Sequence, residues 1–134
     1  MTLLRTADLV KRFVTDVVTP VGITHQQYNV LRILRGAGEE GLPTLDIGER
    51  MVERSPGVTR LVDRLVAKGL VTRERCPDDR RQVICRISES GLDLLARLDE
   101  PVDDATSRAL AGLDESEIDR LVQLLDRVRA AQAS

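Results

Sequence analysis

Apolar residues recur at three- and four-residue intervals through most of this chain, a pattern that predicts a mainly helical protein. Leu9, Val10, Phe13, Val14, Val17 and Val18 form the first such stripe, so residues 3–18 are expected to make an amphipathic helix ended by Pro20 and Gly22. Thr24 and Gln27 have the spacing of a capping box, and Ile23 and Tyr28 that of a hydrophobic staple across the same helix start. This second helix is expected to run to about Arg35 and to be closed by Gly36 and Gly38. Leu42-Pro43-Thr44 is too short to stand alone and is expected to add an edge strand to a later hairpin. A short helix follows from Leu45 to about Val52, with Leu45, Gly48, Met51 and Val52 inward.

After a tight turn the pattern becomes more specific. Ser55 is placed to cap a helix and Pro56 suits its first position. Val58, Leu61, Val62, Leu65 and Val66 give this 55–68 helix one apolar side, leaving Pro56, Thr59, Arg60, Asp63 and Arg64 on the other. Gly69 is expected to stop it. Residues 71–75 and 82–87 then read as two short strands around the charged turn Pro77-Asp78-Asp79-Arg80-Arg81. Ser88 is placed to cap a long helix over about 89–110, with a seam of Leu92, Leu95, Leu98, Val102 and Ala105. Pro101 is expected to kink or split it near Asp99. Asp114 and Glu117 begin a last helix whose apolar residues are Ile118, Leu121, Val122, Leu124, Leu125 and Val128.

The fold class is therefore mainly α with a small antiparallel β-wing (α+β), in a single domain spanning residues 1–134. Two short helices joined by a turn, followed by a hairpin, make a winged helix-turn-helix lobe. A net charge of −2 argues against a polyanionic partner until its distribution is considered. Residues 50–86 carry +5, residues 1–49 carry −1 and residues 87–134 carry −6. Such a polar field orients a basic middle segment toward phosphate. Phe13 and Tyr28 are the only aromatic residues, so the stacking platforms used by single-strand binders are missing and double-stranded DNA is the better-supported target. No apolar run approaches the roughly 20 residues of a membrane span and no signal-peptide pattern precedes the first helix, so no membrane partner and a cytoplasmic location are expected.

Together, Ser55-Pro56-Gly57-Val58-Thr59-Arg60-Leu61-Val62-Asp63-Arg64-Leu65, Lys68-Gly69-Leu70-Val71-Thr72-Arg73, and Asp79-Arg80-Arg81 followed by Arg86-Ile87-Ser88-Glu89-Ser90-Gly91 resemble the MarR family of winged helix-turn-helix transcriptional regulators. The resemblance runs across nearly the whole chain. It departs mildly where Ile87 and Ser88 replace the usual Leu-Thr. It implies a repressor that acts as a homodimer on a palindromic operator and responds to a small phenolic or carboxylate effector. It also implies a DNA-binding lobe at residues 23–90, with dimerisation helices at residues 1–20 and 91–134. The wide apolar stripes of segments 3–18 and 113–130 point independently to a second copy, because one small core cannot easily hide both.

The expected DNA-binding residues are Ser55, Pro56, Gly57, Thr59, Arg60, Asp63, Arg64, Arg80 and Arg81. Arg60 and Arg64 would donate to base edges or phosphate, Thr59, Ser55 and Gly57 would serve the helix N-terminus, and Arg81 would enter the minor groove. Asp79 would support the wing by holding the Arg81 guanidinium. The plainer alternatives are a solvated helix face, with Arg60 and Arg64 paired to Asp63 or Glu53, and a polar turn with an inconsequential surface pair. The resemblance implies that His25 borders a ligand pocket between the dimerisation and DNA-binding parts; the plainer reading is an exposed first-turn residue. Cys76 and Cys85 flank the wing turn, where hairpin pairing would bring them close, either as a redox pair or as two reduced strand cysteines. No Ser/His/Asp set, metal-ligand spacing or Gly-rich phosphate loop is present, so neither enzyme activity nor a cofactor nor a metal is expected. The competing function is a winged-helix module that binds an acidic protein without specific DNA recognition.

Overall fold

The computed structural model describes residues 1–51 and 57–132. Six α-helices and a three-stranded sheet lie among them, in the order α1 (Thr2–Val18), α2 (His25–Ala37), β1 (Leu42–Pro43), α3 (Thr44–Arg50), α4 (Val58–Ala67), β2 (Val71–Arg75), β3 (Val83–Ile87), α5 (Glu89–Ala109) and α6 (Glu115–Ala130). The 55–68 helix of the sequence reading begins two residues late. Gly57 takes the N-cap position with φ −99° and ψ 25°, and Val58 is the first helical residue. Ser55 and Pro56, with Val52 and Glu53, lie outside the described residues.

Side-chain caps fix the starts of α2, α5 and α6 as their chemistry predicts. The Thr24 hydroxyl accepts from the Gln27 N–H at 3.0 Å, while Gln27 Oε1 accepts from the Thr24 N–H at 3.0 Å. Ile23 and Tyr28, on either side of this box, are both buried. Ser88 and Asp114 accept from the N–H groups of Gly91 and Glu117 in the same way. At the other end of α2 the helix runs through Gly36 and stops only at Gly38. One glycine inside a helix lowers its propensity without breaking its hydrogen bonds.

The core lies where α2, α4, β3 and α5 meet, and Leu31, Leu34, Ile47, Leu65, Val62, Val71, Cys85 and Leu95 are among its fully buried members. Two inward assignments are corrected. Leu45 is 82% exposed and Ile47 is buried instead, with Met51 four residues on. Helix α3 starts directly out of β1, and its phase places Leu45 about 200° around the helix from Ile47. In α5, Leu92 is exposed and Leu94 buried, because Leu92 sits about 120° from Leu98 at the edge of the seam. Nor does Pro101 split this helix, which is continuous from Glu89 to Ala109. Arg97, whose carbonyl loses its donor to the proline, is exposed, so solvent can satisfy the freed group.

The sheet order is β1-β3-β2, both pairs antiparallel, with Leu42 opposite Cys85 and Val71 opposite Ile87. The expected edge strand is therefore present, and β3 occupies the centre. The close approach at β1 requires a glycine: Gly41 has φ 69° and ψ −168°, and an added Cβ would stand 2.4 Å from the Cys85 carbonyl oxygen. Gly41→Ala is expected to destabilise the fold by roughly 2–4 kcal/mol, from backbone strain together with overpacking. Thermal and urea unfolding would measure this; an unchanged midpoint would refute the constraint.

Candidate nucleic-acid interface

Helix α4 divides its residues as the apolar stripe dictates. Leu61, Val62 and Leu65 are buried and Val58 and Val66 partly so, while Thr59, Arg60, Asp63 and Arg64 are exposed and Gly57 is half-buried. No ion pair among the described residues involves Arg60 or Arg64. The carboxylate of Asp63, the expected partner in the plainer reading, pairs with Arg73 on β2 instead. Two guanidinium groups thus stand in solvent on one helix face.

The end of α4 carries the chain straight into the wing. Gly69 takes φ 75°, its N–H donates to the Val66 carbonyl at 2.9 Å, and the Leu70 N–H donates to the Leu65 carbonyl at 3.0 Å. This pair of bonds is the Schellman arrangement, which satisfies the last helical carbonyls and reverses the chain within two residues. Ser88 ties the far end of the hairpin to the same turn, its hydroxyl donating to the Gly69 carbonyl at 2.7 Å and its N–H to the Leu70 carbonyl at 3.0 Å. Helix and wing are therefore joined at both strands.

At the wing tip the Cys76 N–H donates to the Gln82 carbonyl, and the Gln82 N–H to the Asp79 carbonyl, both at 3.0 Å. Asp79 Oδ1 accepts from the Arg81 N–H at 3.0 Å and lies 3.5 Å from Arg81 Nε. Asp79 thus fixes the turn backbone first and the guanidinium second, leaving the Arg81 side chain 95% exposed. Arg80 is exposed as well, and its carbonyl accepts from Arg75 Nη1 at 2.8 Å.

Alternation along β2 puts Val71, Arg73 and Arg75 on one face, the face that meets α4, and leaves Thr72 and Glu74 on the other. On that outer face Arg86 bonds Glu74 at 2.6 Å and the Glu39 carbonyl at 2.8 Å. Arg73 and Arg75 were missed by sequence reading. Their only signal was period-two spacing in a strand, and the partners they choose depend on tertiary placement.

The remaining candidates stand apart. His25 is the first residue of α2, half-buried, with Nδ1 3.4 Å from Asn29 Nδ2. Neighbouring Tyr28 is buried beneath Arg32, whose guanidinium lies 5.8 Å from the ring centre, and burial pushes its phenol above the ordinary tyrosine range. An open groove of about 980 Å³ runs between α1 and α5, lined by Val17, Arg97, Glu100, Pro101, Asp104 and Arg108 among others, and His25 does not line it. Cys76 and Cys85 are both free. The expectation that hairpin pairing brings them together is corrected: Cys85 lies opposite Arg73 and is fully buried, whereas Cys76 pairs with Gln82 three positions further out, on the other face. Among the described residues no His, Cys, Asp or Glu group could hold a metal ion, and no helix is long and apolar enough to cross a membrane.

Comparison with known proteins gives a consistent account. Residues 23–83, which run from the start of the α2 cap to the first residue of β3, match the MarR family model. An uncharacterised HTH-type transcriptional regulator of Bacillus subtilis, YkoM, is 30% identical over 106 residues, covering 79% of this chain and 68% of its own length. Among solved structures, a MarR transcription factor from Planctomyces limnophilus is 40% identical with a TM-score of 0.73, covering 92% of this chain and 90% of that one. A mutant MarR from E. coli in complex with operator DNA is 25% identical with a TM-score of 0.83, covering 95% of this chain and 90% of that one. Fold and sequence are thus shared with proteins named as transcriptional regulators, and the chain belongs to the MarR family of DNA-binding transcriptional regulators.

Proposed function

We propose that the protein is a homodimeric repressor that reads a palindromic operator, inserting α4 of each subunit into a major groove and each wing into an adjacent minor groove. The observation that carries this reading is the exposure of Arg60 and Arg64 on α4 together with that of Arg81 at the tip of the attached wing. Arg60 and Arg64 donate to base edges or phosphate, and Thr59 and Gly57 approach phosphate at the helix start; Ser55 and Pro56, outside the described residues, are assigned to the same DNA contact. Arg81 enters the minor groove from a turn held by Asp79, while Arg80 meets phosphate. Residues 23–90 form the reading lobe, and residues 1–20 and 91–134 the dimerisation region.

The dimer has support within the chain. Helix α6 buries none of its residues, and Val122, Leu124 and Val128 are 51%, 40% and 60% exposed; Leu3, Leu4 and Leu9 of α1 are exposed too. Contiguous apolar stripes of this kind mark association surfaces. Repression follows from occupancy, since a dimer spanning two grooves blocks polymerase. Family membership supports a small phenolic or carboxylate effector, which would favour a lobe spacing that no longer matches successive grooves.

Selection of bound duplexes from a random pool is expected to return one palindrome with half-sites about one helical turn apart, bound with steep salt dependence. Absence of any preference over random-sequence DNA would overturn the reading. On the selected duplex, Arg81→Ala is expected to weaken binding about tenfold, a loss of about 1–3 kcal/mol, with an unchanged melting temperature. Fluorescence anisotropy measures the first and differential scanning fluorimetry the second; equal affinity would remove the wing from the interface.

A further inference from the structure

The outer strand of the wing leaves the core almost as soon as it begins. Val71 is buried, but Thr72, Arg73, Glu74 and Arg75 of β2 are all exposed. Beyond Ile84, where β1 ends its pairing with β3, the hairpin is a two-stranded ribbon, and such a ribbon is marginally stable in water. Left to itself it would sample many angles relative to α4, and ordering it on DNA would cost affinity. Two side chains on its inner face oppose this. Arg73 Nη1 donates to Asp63 Oδ1 on α4, and two residues further out Arg75 Nη1 donates to the Arg80 carbonyl in the tip at 2.8 Å. Both alternate with Val71 on the face toward the helix.

We propose that Asp63, Arg73 and Arg75 are positioning residues, forming a brace from the middle of the recognition helix to the wing tip that sets the angle at which the two enter their grooves. This rests on the operator-reading function above and deepens it. The brace accounts for an acidic residue on a helix face that otherwise meets phosphate: the Arg73 guanidinium neutralises the Asp63 carboxylate, and the carboxylate in turn restrains Arg73. With Asp63 50% and Arg73 36% exposed, the pair adds little to fold stability. Its effect is on the geometry of the free lobe.

The test uses the full chain and a fluorescein-labelled duplex selected with the wild-type protein. Asp63→Asn removes a negative charge from the DNA-facing side, so electrostatics alone would tighten binding. The brace requires the opposite, a loss of about tenfold. The slope of log affinity against log salt should stay unchanged, because no phosphate contact is deleted. Asp63→Asn combined with Arg73→Ala should bind no more weakly than Arg73→Ala alone, since the two act as one unit, and Arg73→Lys should recover part of the loss. Should the Asp63 variant fold poorly, Arg75→Met, remote from the core, is expected to weaken binding severalfold through the distal tie. Unchanged or tighter binding by Asp63→Asn, additive losses in the double variant, or unchanged binding by Arg75→Met would overturn the proposal. Arg60→Ala separates the two failures. If it weakens binding while Asp63→Asn does not, only the brace falls; if neither matters, the operator-reading face falls with it.

Discussion

Replacing Val122 and Leu125 together by glutamate is expected to convert the protein to a monomer at micromolar concentration and to lower operator affinity roughly a hundredfold or more. Val122 is 51% exposed and Leu125 only partly covered within the subunit, so the subunit itself has little reason to unfold. The two residues are three apart on one face of α6, and no residue of that helix is buried by its own chain. Burying side chains of this kind against a second copy contributes roughly 1.5–3 kcal/mol each. Putting carboxylates there instead adds a desolvation penalty of several kcal/mol per ion. In the proposed dimer each subunit reads half of a symmetric site, so a monomer would forfeit the second half-site's contribution. Light scattering after size exclusion reads the mass, and anisotropy on the selected duplex reads the affinity. A variant that stays dimeric would show that α6 is not the seam; a monomer that binds with wild-type affinity would show that symmetry is irrelevant to recognition.

The second large effect is expected from Arg60→Ala combined with Arg64→Ala. Each guanidinium contact with base or phosphate is worth about 1–3 kcal/mol, and the proposed dimer presents each arginine twice, so a loss of roughly a hundredfold or more is expected. Both side chains are exposed and pair with no carboxylate among the described residues, so their removal should leave the melting temperature within experimental error. The way affinity is lost assigns their roles. Equal losses on operator and random duplex, with a shallower salt slope, mark phosphate contacts; a loss confined to the operator marks base readout. Wild-type affinity in the double variant would mean that this face of α4 does not meet DNA.

Much of this architecture could be read in the sequence because its signals are local. The Thr24–Gln27 box, the apolar phase of α4, Gly69 as its stop and the two strands of the hairpin each depend on residues within a few positions of one another. The misassignments share the opposite cause. Leu45 and Leu92 are leucines at helical spacing, but which side of a short or long helix is buried depends on what packs beside it. Pro101 carries a strong local signal for a break, yet α5, packed along α1, runs through it without splitting. Cys76 and Cys85 look paired when distance along the hairpin alone is considered, and register separates them.

What the chain's order of residues determined by itself was which segments are helix or strand, where most of them stop, and that positive charge gathers between residues 50 and 86. Only the folded structure decided that Asp63 answers to Arg73 across the helix–strand junction, that Asp79 holds the turn backbone before it holds Arg81, and that α6 buries none of its residues within its own chain. The division has a physical reason. Helix periodicity, caps and turns are set by neighbours in sequence, whereas ion-pair partners and buried faces are set by which surfaces meet after the chain has folded back on itself.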